Sequence, residues 1–107
     1  MNRLTLNDLE QRIRERASAS ADESYTRALL DRGVAHCARK LGEESLETVL
    51  AAVAEDRARL IAESADLLYH LLVLLHARGI ALEEVEAALW ERRSKPRPEP
   101  KTRSSPL

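Results

Sequence analysis

The chain has 107 residues, 44% of them hydrophobic but only 3% aromatic, and its 17 basic and 18 acidic residues leave a net charge of -1. That balance excludes a whole-molecule field suited to nucleic acid or to an anionic membrane, so any electrostatic function is local and neither partner is expected. One cysteine, Cys37, rules out an internal disulfide and a cysteine-rich metal site; with no basic-then-apolar leader, a cytoplasmic location is expected.

Thr5 is a suitable N-cap for a first helix carrying Leu6, Leu9 and Ile13 at helical spacing, with Asp8 near its positive end, fading near Ser18. Ser18 to Ser24 reads as a connection, and Ser24 caps a short helix through Leu29 and Leu30 that ends at Gly33. From Val34 to about Ala54, the apolar positions Ala38, Leu46, Val49, Leu50 and Val53 predict a long amphipathic helix, at some cost from Gly42.

Glu55-Asp56 forms a polar corner, after which Leu60 to Leu75 define a second long helix ending at Gly79. The two long helices are expected to pair as an antiparallel hairpin. Between Leu71 and Leu75 the second is apolar almost all round, more than one short chain can cover; its apolar run is well short of the roughly 20 residues a bilayer crossing needs. A last helix from about Leu82 to Arg93 carries Val85, Leu89 and Trp90, the tryptophan read as a packing residue. Residues 94–107, with all four prolines, read as a disordered tail, leaving one domain over 1–93. The fold class is all-α, a helical hairpin with flanking helices.

The chemistry-bearing segment is Lys40-Leu-Gly-Glu-Glu-Ser-Leu-Glu47, which sets Glu43, Glu44 and Glu47 on one flank of its helix. On the next helix Glu63 and Asp66 are three apart, with His70 one turn further. A turn at Glu55-Asp56 would put Glu47 and Glu63 both about 12 Å down their helices, and Glu44 level with Asp66. Two carboxylates about 6 Å apart repel by roughly 3 kcal/mol at an effective dielectric of about 20, so four beside a core demand protons or a cation. Oxygen-only donors favour magnesium, with manganese as a substitute, and a magnesium ion held on one side by carboxylates offers its other positions to phosphate oxygens. Glu43 is a candidate to take a proton from an attacking water, although spacing alone does not separate a base from a ligand. Lys40 suits a phosphate contact or a plain ion pair with Glu43 or Glu44 equally well. His70, among leucines, reads as a structural histidine rather than a ligand.

Glu44-x-x-Glu47 followed by Glu63-x-x-Asp66 resembles the metal signature of the all-α nucleotide pyrophosphohydrolases. Lys40 to Glu47, Ala65 to Leu75, and Ser24-Tyr25-Thr26 ahead of Leu29-Leu30 are similar to the phosphoribosyl-ATP pyrophosphohydrolase family within it, over roughly Leu6 to Arg93. The resemblance implies cleavage of phosphoribosyl-ATP to phosphoribosyl-AMP and pyrophosphate, the second step of histidine biosynthesis, by a homodimer whose helices build a bundle. It makes Glu44, Glu47, Glu63 and Asp66 metal ligands and gives Glu43 and Glu44 the catalytic roles. It also makes Lys40 a phosphate contact and has Ser24, Tyr25 and Thr26 line the substrate pocket. Two other functions compete: a house-cleaning nucleoside triphosphate pyrophosphohydrolase with the same acids, and a helical adaptor whose acids are surface decoration.

Overall fold

The computed structural model describes residues 2–54 and 56–94 and is all-helical, with no strand among the described residues. Five helices follow in order: α1 (Leu6–Ala17), α2 (Tyr25–Asp31), α3 (Val34–Ala54), α4 (Arg57–Ala77) and α5 (Leu82–Arg92). Glu55 and nearly all of the expected 94–107 tail lie outside the described residues.

The helix ends follow local chemistry. The Thr5 hydroxyl accepts from the Asp8 N–H at 3.0 Å while the Asp8 carboxylate accepts from the Thr5 N–H at 3.0 Å, a reciprocal box that holds the Asp8 carboxyl below its usual range. Ser24 caps α2 by accepting from the Arg27 N–H at 3.1 Å, and Asp56 caps α4 by accepting from the Arg59 N–H at 2.9 Å. α5 begins at Ala81, which has no capping side chain. Its first N–H groups are met instead by Glu84, which accepts from Ala81 at 2.9 Å, and by Glu10 of α1, which accepts from Leu82 at 2.6 Å. That second bond ties the last helix to the first.

Gly79 ends α4 at φ +71°, where the Ile80 N–H reaches back to the Leu75 carbonyl at 2.9 Å and the Gly79 N–H to His76 at 3.0 Å. Both bonds of a Schellman closure are therefore made.

α3 and α4, 21 residues each, share the largest helix-to-helix contact, and α1 and α2 pack across them. The core is small: Ile13, Leu29, Cys37, Leu72, Val73 and Leu82. Cys37 behaves as an apolar filler; its thiol donates to the Leu29 carbonyl at 3.4 Å, and burial pushes its pKa up. By length and composition α4 would also pass for a bilayer-crossing segment. Here it carries two buried ionisable side chains, Glu63 and His70, and packs against three other helices.

α3 forms over the expected residues, but little of its apolar face is covered. Ala38, Leu46, Val49, Leu50 and Val53 are exposed, Val53 by 81%, and the residues α3 buries are Cys37 and Ala51. Ile61, Leu68 and Leu71 of α4 are exposed as well. α1 packs on α4 and α2 on both long helices, and nothing among the described residues covers these positions. Leu89 is exposed too, and so is Trp90, expected to pack, with the Arg93 guanidinium 3.3 Å over the indole ring.

Two glycines should respond oppositely to alanine. Neither Gly79 nor Gly42 has any atom within 4 Å of a new Cβ, so only backbone preference decides. Gly79→Ala is expected to lose about 1 kcal/mol because of its positive φ, and Gly42→Ala, inside α3, to gain about 0.5–1 kcal/mol. Denaturant midpoints check both signs.

Candidate active site

α3 carries Glu44 and α4 carries Glu63 and Asp66, and one carboxylate oxygen from each lies within 4.8 Å of the other two. The Thr48 hydroxyl sets this register, since its proton is shared between the Glu44 carbonyl one turn back at 2.8 Å and the Glu63 carbonyl across the helix pair at 3.2 Å.

Glu63 is the most constrained of the three. It is 5% exposed, and its Oε2 is held at 2.8 Å by Arg59 Nη2 one turn earlier on α4. Its Oε1 is buried with no hydrogen-bond partner. An unsatisfied buried carboxylate oxygen is costly, and in a native site it points to a partner that occupies that position in the working protein. Beside two other carboxylates, that position suits a proton or a cation.

Glu44 is half-buried. Burial is the first cause that lifts its carboxyl above the ordinary 4.5; the charges of Glu47, Asp66 and Glu63 add to it, and Lys40 opposes. Glu47 therefore lies close enough to be felt, yet it is exposed and contributes no oxygen to the three-acid group. Glu43 is also outside that group. It turns to the basic side of α3, 3.4 Å from Lys40 Nζ and 3.9 Å from Arg39 Nε. Lys40 thus makes the ion pair that spacing allowed, and its pKa is raised first by that hydrogen bond to Glu43, then by Tyr25.

The Ser24-Tyr25-Thr26 run divides by exposure. The Ser24 hydroxyl is engaged in capping α2, and the Thr26 hydroxyl bonds the Tyr69 hydroxyl; both residues are buried. Tyr25 between them is 58% exposed, its ring 6.3 Å from Tyr69 and 6.2 Å from the His70 imidazole, which it meets edge-on. All three line a cavity of about 320 Å³ together with Arg12 and Arg16 of α1. His70, buried, is pushed towards its neutral form by burial first and by Lys40 second, with Asp66 and Glu43 opposing.

Sequence reasoning passed over Arg59, Thr48 and Tyr69. Arg59 was visible in principle as an i, i+4 partner of Glu63. The long-range bonds of Thr48 and Tyr69 have no local signature.

The raised Glu44 carboxyl gives a pH signature. A group whose folded pKa lies above its unfolded value binds protons better in the folded state, so it favours folding at low pH and opposes it as pH rises through the folded value. Without divalent ions, Glu44→Gln should therefore gain stability over wild type as pH rises from about 4.5 towards neutrality. Denaturant midpoints of both proteins across that range test this. A gap independent of pH would contradict it.

Comparison with known proteins identifies the family. The sequence model of phosphoribosyl-ATP pyrophosphohydrolase matches residues 6–93. Phosphoribosyl-ATP pyrophosphatase 1 of Bradyrhizobium diazoefficiens is 65% identical over 94 residues, covering 88% of this chain and 89% of that one. Phosphoribosyl-ATP pyrophosphatase of Azorhizobium caulinodans is 59% identical over 91 residues, covering 85% and 84%. The enzyme of the same name from Nitrobacter winogradskyi is 59% identical over 92 residues, covering 86% and 79%. With its three acids on two facing helices and a family match running from the start of α1 to just past α5, this chain belongs to the phosphoribosyl-ATP pyrophosphohydrolase family.

Proposed function

We propose that the chain hydrolyses phosphoribosyl-ATP between its α and β phosphates to phosphoribosyl-AMP and pyrophosphate, the second step of L-histidine biosynthesis, with magnesium, or manganese in its place, as cofactor. The observation that carries this reading is the buried, unpartnered Oε1 of Glu63 facing Glu44 and Asp66. An all-oxygen donor set of this kind fits a hard divalent cation.

Glu44, Glu63 and Asp66 would hold the ion, with Glu47 as a fourth ligand one turn along α3. When bound, the ion supplies charge neutralisation on the polyphosphate and a polarised water. The other tasks fall to the protein's own groups. Glu43, next to Glu44 and outside the three-acid group, would accept the proton of the attacking water. Lys40 adds positive charge beside the phosphates. The exposed ring of Tyr25 offers a stacking face for the adenine base, while Ser24 and Thr26 fix the start of α2 that presents it.

The working unit is proposed to be a cytoplasmic homodimer of one domain over 1–93. In it the α3–α4 hairpin packs against a second copy as a helical bundle. Leu46, Val49, Leu50 and Val53, exposed in the single chain, supply the apolar surface for such packing.

Pyrophosphate release from phosphoribosyl-ATP, with and without magnesium, tests the reading. Release should require the ion and be lost in Glu63→Gln, Glu47→Gln and Asp66→Asn with helical content unchanged; Glu43→Gln should lower kcat by about 100-fold. Faster cleavage of common dNTPs would move the enzyme to the house-cleaning class. Magnesium at about a hundred times its Kd should also stabilise the wild type by about 2.7 kcal/mol. A melting temperature that ignores magnesium in wild type and variants alike would favour the adaptor reading.

A further inference from the structure

A second cavity, of about 330 Å³, lies between α2 and the first turns of α3, on the other side of Tyr25. Its charged lining comprises Arg32, Arg39 and Lys40 against the single carboxylate of Glu43, with His36 among them. Arg32 makes no ion pair among the described residues, and Arg39 reaches Glu43 only at 3.9 Å. Three cations facing one carboxylate leave an excess of about two positive charges, the complement of a phosphate monoester. The first turn of α3 carries no acidic residue, so the positive end of that helix adds to the same field. His36 reports it: burial and then the charges of Arg32, Arg39 and Lys40 push its pKa down.

We infer that this cleft binds the 5-phosphate of the substrate's phosphoribosyl group, and that Arg32 and Arg39 are the residues that distinguish phosphoribosyl-ATP from simple nucleoside triphosphates. The inference rests on the hydrolase reading above and adds to it the location of the second phosphate. Position along α3 supports the division. His36 precedes Glu44 by eight residues, about 12 Å of helix, so the end of the cleft at Arg32 and His36 lies away from the acids, while Lys40 and Glu43 at its other end lie within about a turn of Glu44. Lys40, one turn from Glu44, stands between the two regions. Tyr25 lines the cleft, and its ring also meets His70, one turn beyond Asp66, so it lies at the boundary where a base would join triphosphate to phosphoribosyl group. Arginine suits the task because its planar fork binds phosphate oxygens in pairs.

The test is equilibrium binding, by calorimetry, of phosphoribosyl-AMP, AMP and pyrophosphate to wild type, Arg32→Ala, Arg39→Ala and Arg32→Lys. Arg32 and Arg39 are exposed, so helical content should stay at the wild-type level, which circular dichroism checks. Wild type should bind phosphoribosyl-AMP more tightly than AMP. Each alanine variant should weaken phosphoribosyl-AMP by about 10-fold while leaving AMP and pyrophosphate unchanged, and Arg32→Lys should recover part of the loss. Equal binding of phosphoribosyl-AMP and AMP by wild type would overturn the inference. So would an equal loss of AMP, or a loss confined to pyrophosphate, in the variants. Because binding is read without turnover, these outcomes are independent of whether the wild type releases pyrophosphate, which is where the hydrolase reading itself would fail.

Discussion

Three carboxylates drawn together at the edge of a hydrophobic core are unfavourable by themselves, and much of the molecule's design follows from that. Mutual repulsion and desolvation both act on Glu44, and Glu63 is buried with one oxygen satisfied by Arg59 and the other by nothing. The arrangement persists because the helices leave the side chains little choice. Thr48 bonds the two backbones at the level of the acids, and Val73, Leu72 and Cys37 anchor the same helix pair further along. A cation bound there would turn this liability into affinity, since a positive charge relieves the repulsion among the carboxylates.

The protein separates charge along one helix. The start of α3, with its neighbour Arg32, is cationic and surrounds a cleft; its middle is acidic and faces Glu63 and Asp66. Lys40 and Glu43, paired at 3.4 Å, lie where the two regions join. A substrate with two phosphate-bearing ends and a base between them suits such a surface. The exposed Tyr25 sits at the same junction because Ser24 and Thr26 direct their own side chains inward to cap and to bond.

Much of the fold was legible because helix ends are written locally. Thr5, Ser24, Asp56, Gly33 and Gly79 mark helix ends through side-chain bonds or a positive φ that any sequence window contains. The burial of α3 was not legible. Periodicity identified an apolar face but not which neighbour covers it, and Leu46, Val49, Leu50 and Val53 stay exposed among the described residues. Of the four acids picked out by spacing, Glu44, Glu63 and Asp66 lie together in the structure. Glu43 and Glu47 share that spacing but differ in which way they turn, which depends on Lys40, Arg39 and local exposure. Arg32, His36 and Arg39 escaped notice because they straddle the break at Gly33, and residues on either side of such a break share no helical period.

The central claim is that Glu63 Oε1 belongs to a divalent cation. Manganese soaked into crystals of the protein, located by its anomalous scattering, tests it most directly. The account predicts a peak bounded by Glu44, Glu63 and Asp66, about 2.2 Å from Glu63 Oε1. A peak elsewhere, or a Glu63 Oε1 satisfied by a water or a protein donor with manganese present, would contradict it.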